Sequence, residues 1–270
     1  MLNDSFRYHE GELYCDSLPV LDIVRAVGTP VYLYSLKQAL ANLQRLQNAF
    51  ADLGAYIHYS AKANGNLSVL RTLIEAGAGI DCVSGGEVFR ALQAGAQPAQ
   101  IVLAGVGKTP AELRMAVEQG VGWVNVENVA ECAVLDQLVG ALGGVQRVAL
   151  RLNPDVSAST HRYIATGHGG AKFGLAEKAV RQLLDRRMDY PHLRFEGIHI
   201  HIGSQLGDTS ATTQAVQSVL DIARSYPGIR MIDIGGGLPV AYEPGRVLPE
   251  PEAFARVLRP LLKGFEVILE

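Results

Sequence analysis

Residues 55–84 read AYIHYSAKANGNLSVLRTLIEAGAGIDCVS. The stretch opens on a short apolar, β-rich run (Tyr56, Ile57, His58, Tyr59). Leu67, Leu70, Leu73 and Ile74 then recur at the three- and four-residue steps of a helix face, and a second β-rich run closes the unit at 79–84. This is a strand–helix–strand unit, and the pattern repeats along the chain. Strands are expected at 55–60, 79–84, 101–105, 122–127, 147–152, 195–202, 230–235 and 265–270. Helical patterns lie between them, marked by Val88 and Leu92 before Gly95, by Thr109-Pro110 through Gly120, and by an Asn128 cap followed by Val129, Ala133, Leu135 and Leu138. Further patterns run through 179–184, 216–223 and 254–261. Buried strands alternating with helices imply parallel βα units. The first five strand starts lie 21 to 25 residues apart, too regular for a typical open nucleotide-binding sheet. An eight-stranded (β/α)8 barrel is the expectation. The rival, a doubly wound sheet, lacks a GxGxxG after its first strand.

A helix over about 36–53 precedes the barrel, and short strands near 12–14 and 31–35 have no place in it. The expected division is therefore an N-terminal segment, 1–30, and a barrel, 31–270. The chain's 270 residues are 48% hydrophobic and 19% charged, with a net charge of −3. That balance argues against nucleic-acid or anionic-membrane partners. There is no apolar run of membrane-spanning length and no signal-peptide layout at the start. Cys15, Cys82 and Cys132 are isolated and odd in number, which points away from a disulfide framework or zinc site and towards a reducing cytoplasm.

In such barrels the chemistry gathers at the C-terminal strand ends. Here those ends carry Lys62, then Asp81 with Ser84-Gly85-Gly86-Glu87, then Arg151, then His199-Ile200-His201-Ile202-Gly203-Ser204, then Asp233 with Gly235-Gly236-Gly237, and lastly Glu270. A lysine where a strand opens into a loop is expected to be poorly solvated, which favours a nucleophilic amine; a surface lysine is the plain alternative. Consecutive glycines let backbone N–H groups converge on a phosphate, or simply make a tight turn. Ser204 can add a hydroxyl. His199 and His201 share a strand face; a metal pair finds no third ligand at zinc-type spacing, so His199 reads as a core histidine and His201 as a ring to stack on an aromatic cofactor. A cofactor with an aldehyde, a phosphate and a basic ring nitrogen needs an amine, an anion cradle and a carboxylate. Lys62, Gly235–Gly237 and Glu270 supply them, and the cofactor they describe is pyridoxal 5′-phosphate. Glu243, in a polar loop, is set aside in favour of Glu270.

With these residues in place the chain resembles the fold-type III pyridoxal-phosphate decarboxylases, whose barrel is of the alanine racemase and ornithine decarboxylase type. The resemblance rests on YSAKAN (59–64), DCVSGGE (81–87), GVGKT (105–109), NVEN (125–128), LRLNPDV (150–156), TG…KFG (166–174), HIHIGSQ (199–205) and DIGGGL (233–238). GKT, LRLNPDV, KFG and HIGSQ favour the diaminopimelate decarboxylase branch, which removes carbon dioxide from meso-diaminopimelate and leaves L-lysine. The resemblance implies that Lys62 carries the cofactor, His201 stacks on its ring, Ser204 and Gly235–Gly237 hold its phosphate and Glu270 pairs with its ring nitrogen. It also implies that Asp81, Glu87 and Arg151 line the pocket, that the substrate is a small amino acid and that the full-length protein is a homodimer. The family continues beyond the last barrel strand with a further helix and a C-terminal β-domain, so the chain is expected to be a fragment, inactive by itself. Detectable lysine formation by the 270-residue chain would count against that. A sister decarboxylase for ornithine, arginine or carboxynorspermidine, a non-catalytic cofactor-binding barrel, a racemase of similar plan and, more remotely, a dehydrogenase stay open as alternatives.

Overall fold

The structure, a computed structural model, describes residues 5–156, 173–242 and 245–270. It opens with an antiparallel meander of β1 (Phe6–His9), β2 (Glu12–Cys15) and β3 (Leu18–Pro19). Glu10 and Gly11, both at positive φ, make the two-residue turn that suits a hairpin. Helix α1 (Val20–Val27) follows and buries no residue. The expected strand at 12–14 is β2. The one expected at 31–35 does not form: that stretch has no pairing partner, and Tyr32 and Tyr34 point into solvent.

Helix α2 (Leu36–Ala49), capped by the Ser35 hydroxyl, leads into the barrel. The barrel elements are β4 (Tyr56–Ser60), α3 (Leu67–Glu75), β5 (Gly79–Cys82), α4 (Gly85–Gln93), β6 (Ile101–Leu103), α5 (Pro110–Gln119), β7 (Trp123–Val126), α6 (Val129–Ala141) and β8 (Gln146–Arg151). They continue with α7 (Glu177–Asp185), β9 (Leu193–His199), α8 (Ser210–Ser225), β10 (Met231–Asp233), α9 (Pro251–Leu262) and β11 (Glu266–Leu269). All eight strands, β4 to β11, pair in parallel and the sheet closes where β11 meets β4. Every strand that the spacing predicts is present. Helix α2 packs between α3 and α9 and against β4, beside the β11–β4 seam. Its cover is loose, and a cavity of about 390 Å³ remains between Leu43 and Leu46 of α2 and Ile57, Leu269 and Glu270. No helix among the described residues is long and apolar enough to cross a membrane.

Strand alternation sorts the barrel's inside into layers. Val102, Trp123, Ala149, Met231 and Ile268 form a buried apolar plug, separate from the larger core between strands and helices. Burying each large side chain there contributes roughly 1.5–3 kcal/mol. The plug explains Gly197, where a Cβ would lie 2.7 Å from the Met231 side chain and 2.9 Å from that of Ala149. Below it, Arg147 stacks 3.9 Å over Trp123 and pairs with Glu196 and Glu266. Above it, two residues further along four of these five strands, the side chains are polar (Asn125, Arg151, Asp233 and Glu270), Ala104 after β6 being the exception. That upper layer is the site.

Candidate active site

Short strands that end together bring Ser60, Asp81, Asn125, Arg151, His199, Asp233 and Glu270 to one level, five of the seven buried and Ser60 and Glu270 partly so. Lys62 stands over them at the rim, just past β4. Its ammonium lies 3.7 Å from the Asp81 carboxylate, which also accepts the Ser60 hydroxyl at 2.8 Å. The expectation of a desolvated lysine is corrected here, since the Lys62 side chain stays 53% exposed. Its setting in the turn after β4, rather than in the strand, is the reason. The buried member is Asp81, whose pKa is raised by burial and held back by Lys62.

Glu270 and Asp233 lie on the adjacent strands β11 and β10. Asp233 is fully buried and accepts the Gly235 N–H and the Asn125 amide, both at 2.9 Å. Burial raises its pKa to about 7. Glu270 is raised well above the carboxylate range, first by burial and then by the Asp233 charge. His199 Nε2 lies 3.5 Å from Glu270 Oε1, and neither atom, nor His199 Nδ1, has a hydrogen-bond partner among the described residues. Burial, and then the Arg151 charge, keeps His199 neutral. His201 is held down to about 4 by the same two causes; its Nδ1 accepts the Gly236 N–H at 3.3 Å, which fixes the proton on Nε2.

The glycine run is tighter than a plain phosphate cradle. A Cβ at Gly235 would meet the Ile200 carbonyl at 2.5 Å, at Gly236 the Glu270 carbonyl at 2.8 Å, and at Gly237 the Gly203 carbonyl at 2.3 Å. The N–H groups of Gly235 and Gly236 are taken by Asp233 and His201. Gly237 keeps its N–H without an acceptor among the described residues. Ser204 is exposed in the neighbouring loop. Two of the three expected phosphate donors are thus committed to bracing the carboxylate and the imidazole.

Two further assignments change. Glu87 caps a helix: Ser84 accepts its N–H, and its carboxylate accepts the Val83 N–H at 2.8 Å. The same Ser/Thr/Asn-x-x-Glu box starts α5 with Thr109 and Glu112, and α6 with Asn128 and Glu131. Arg151 is in the layer as expected, but its partner is Glu127, at 2.5 Å, and Phe173 covers it at 5.4 Å. Glu127 was legible as the inward residue two beyond Asn125. Lys108 is the residue that strand-end reasoning missed. It is fully buried on Glu131, the Gly105 carbonyl and the Asn125 carbonyl, at 2.6–2.8 Å. Asp155 and Pro154 lie away from this layer, beside a separate surface pocket. Glu243 and the 166–172 part of the TG…KFG motif fall outside the described residues.

Residues 36–268 match the model of the pyridoxal-dependent decarboxylases, pyridoxal binding domain. The chain belongs to that family. The diaminopimelate decarboxylase of Aquifex aeolicus is 39% identical, in a match covering 99% of this chain and 65% of that protein. That of Neisseria meningitidis is 37% identical over 96% and 65%. Among solved structures, the diaminopimelate decarboxylase of M. jannaschii in complex with L-lysine superposes with a TM-score of 0.91 at 29% identity, covering 100% of this chain and 67% of that one. The Helicobacter pylori enzyme, also with L-lysine, gives 0.87 at 34% identity, covering 93% and 65%. The chain spans about two thirds of the length of these curated relatives. The family cofactor is pyridoxal 5′-phosphate, and this decarboxylase barrel offers it a reachable amine, neutral imidazoles, and orphaned buried oxygens on Asp81 and Glu270.

Proposed function

We propose that the chain is the cofactor-binding barrel of a diaminopimelate decarboxylase, acting on meso-2,6-diaminopimelate to give L-lysine and carbon dioxide. The observation that carries the reading is an available amine and a proton-holding carboxyl on adjacent strands of one rim, Lys62 after β4 and Glu270 after β11. When bound, pyridoxal 5′-phosphate supplies an electron sink for the pair left on the substrate α-carbon.

The chain's residues divide the remaining work. Lys62 holds the cofactor by its amine and yields to the substrate amine, with Asp81 as the counter-charge that keeps it over the site. His201, neutral and fixed by Gly236, offers a flat face for the ring. Gly237 and Ser204 donate to the phosphate, while Gly235 and Gly236 brace the floor. Glu270 holds a proton at the ring nitrogen. Arg151, clamped by Glu127, lends positive charge to the layer from one side. Recognition of the substrate's distal group belongs to the full-length protein, which we propose works as a cytoplasmic homodimer. The test is product analysis: full-length protein, pyridoxal phosphate and meso-diaminopimelate are expected to yield L-lysine and one equivalent of carbon dioxide. Turnover of ornithine or arginine in preference would reassign it to a sister enzyme.

A further inference from the structure

The upper layer has a charge imbalance. Lys62 pairs with Asp81 and Arg151 with Glu127, while Lys108 is spent on Glu131. That leaves Asp233 and Glu270, two carboxyl groups side by side on adjacent strands, Asp233 buried and the Glu270 side chain 5% exposed, with no cation in contact and only the Lys62–Asp81 pair acting on them from across the layer. One atom from each of His199, Asp233 and Glu270 lies within 4.8 Å of the others. The remaining groups that face the pair are neutral: Asn125 from β7, and His199 and His201 from β9. Two enclosed carboxylates within 4.8 Å of each other cannot both ionise cheaply, so one of them keeps a proton.

The geometry also says where that proton sits. Both Asp233 oxygens accept from donors, the Gly235 N–H and the Asn125 amide, which favours the ionised form. Glu270 Oε1 accepts from nothing among the described residues. The neutral acid is therefore Glu270. This inference rests on the reading that Glu270 faces the ring nitrogen. We propose that Asp233 is a positioning residue that keeps a proton loaded on Glu270 in the cofactor-free protein, ready to pass to the ring nitrogen as the cofactor seats. In that step the Glu270 O–H bond breaks and an N–H bond forms. Glu270 becomes a carboxylate that can accept from His199 Nε2, 3.5 Å away, and Asp233 is unchanged. The ring then draws its proton from the protein rather than from solvent.

The test is infrared difference spectroscopy of the cofactor-free full-length protein at mildly alkaline pH. A carbonyl band of a protonated carboxylic acid is expected in the wild type and absent from Glu270→Gln. In Asp233→Asn the band is expected to vanish at lower pH than in the wild type. This variant has a route to folding, since the orphaned Asn125 oxygen can turn to meet the new amide. A wild type without the band, or a band whose pH of loss Asp233→Asn leaves unmoved, overturns the proposal. Should Asp233→Asn not fold, Asp233→Ser is read in its place, and a band whose pH of loss that variant leaves unmoved likewise overturns the proposal. The parent reading is tested separately by the ¹⁵N shift of the ring nitrogen in the loaded protein. A shift indifferent to Glu270→Gln removes Glu270 from the ring, whatever the infrared band shows.

Discussion

The loops leaving β4 and β6 each set a lysine beside a buried carboxylate, and they use it in opposite ways. Lys108, after β6, has no exposure and spends its three protons on Glu131 and two backbone carbonyls. Lys62, after β4, is half-exposed and has one long contact, with Asp81. A lysine with every proton satisfied inside the protein is a strut. A lysine held at one point, with the rest of its sphere open, can form a bond to something else. Neighbouring acidity is common to both; what separates reactive from structural is the number of acceptors already met.

The largest effect should come from Lys62→Ala. It is expected to abolish covalent attachment of the cofactor, read as complete loss of borohydride-trapped pyridoxyl label, with an unchanged circular dichroism spectrum. Label found on Lys108 instead would reverse the comparison. Lys108→Met should leave Glu131 buried and unpaired and cost about 3–5 kcal/mol in urea unfolding, while the folded fraction still takes label at Lys62. A cost below about 1 kcal/mol would make Lys108 dispensable as a strut.

The third effect is a pH dependence. Asp233 titrates at about 7 in the folded protein, against 3.8 ordinarily. The folded state keeps a proton that the unfolded chain has released, so the stability from this group is whole below about 4 and is lost as pH rises through about 7. His58 and His201, held at about 4, act with the opposite sign: their contribution is whole above 6.5 and is lost as pH falls towards about 4. Denaturant midpoints of the cofactor-free protein measured across this window should, in Asp233→Asn, lose the part of the alkaline fall centred near 7, keep the part due to Glu270, and keep the acid fall. The smallest effect, about 1 kcal/mol in the same assay, is expected from Asn128→Ala, which removes the cap that aims Glu131 at Lys108.

Much of this was legible in the chain. The strands could be read because each is a short, buried, β-rich run at regular spacing, and Asp81, Arg151, His201 and Glu270 followed from their places at strand ends. What was hidden lies between strands. Nothing local in GVGKT says that Lys108 is buried on Glu131, a residue of the next helix. Glu87 looked like a pocket residue because capping and ligation use the same side chain, and the S-x-x-E box was the signal that separates them. The stretch 31–35 carries strand-forming residues but no neighbour to pair with. Asp233 and Glu270 belong to separate strands that only the pairing of β10 with β11 brings together.

The seam between β11 and β4 carries a consequence for folding order. The two strands that close the ring meet at only two residue pairs, Ile268 with Tyr56 and Leu269 with Ile57, and they come from opposite ends of the barrel's sequence. Contacts of such long range form late. Lys62 extends from one side of that seam and Glu270 from the other, so neither finds its counterpart until the last strand docks. A tightly held cofactor thus registers that the ring has closed, and a chain stalled one strand short would offer Lys62 with Asp81 but without Glu270 across the seam.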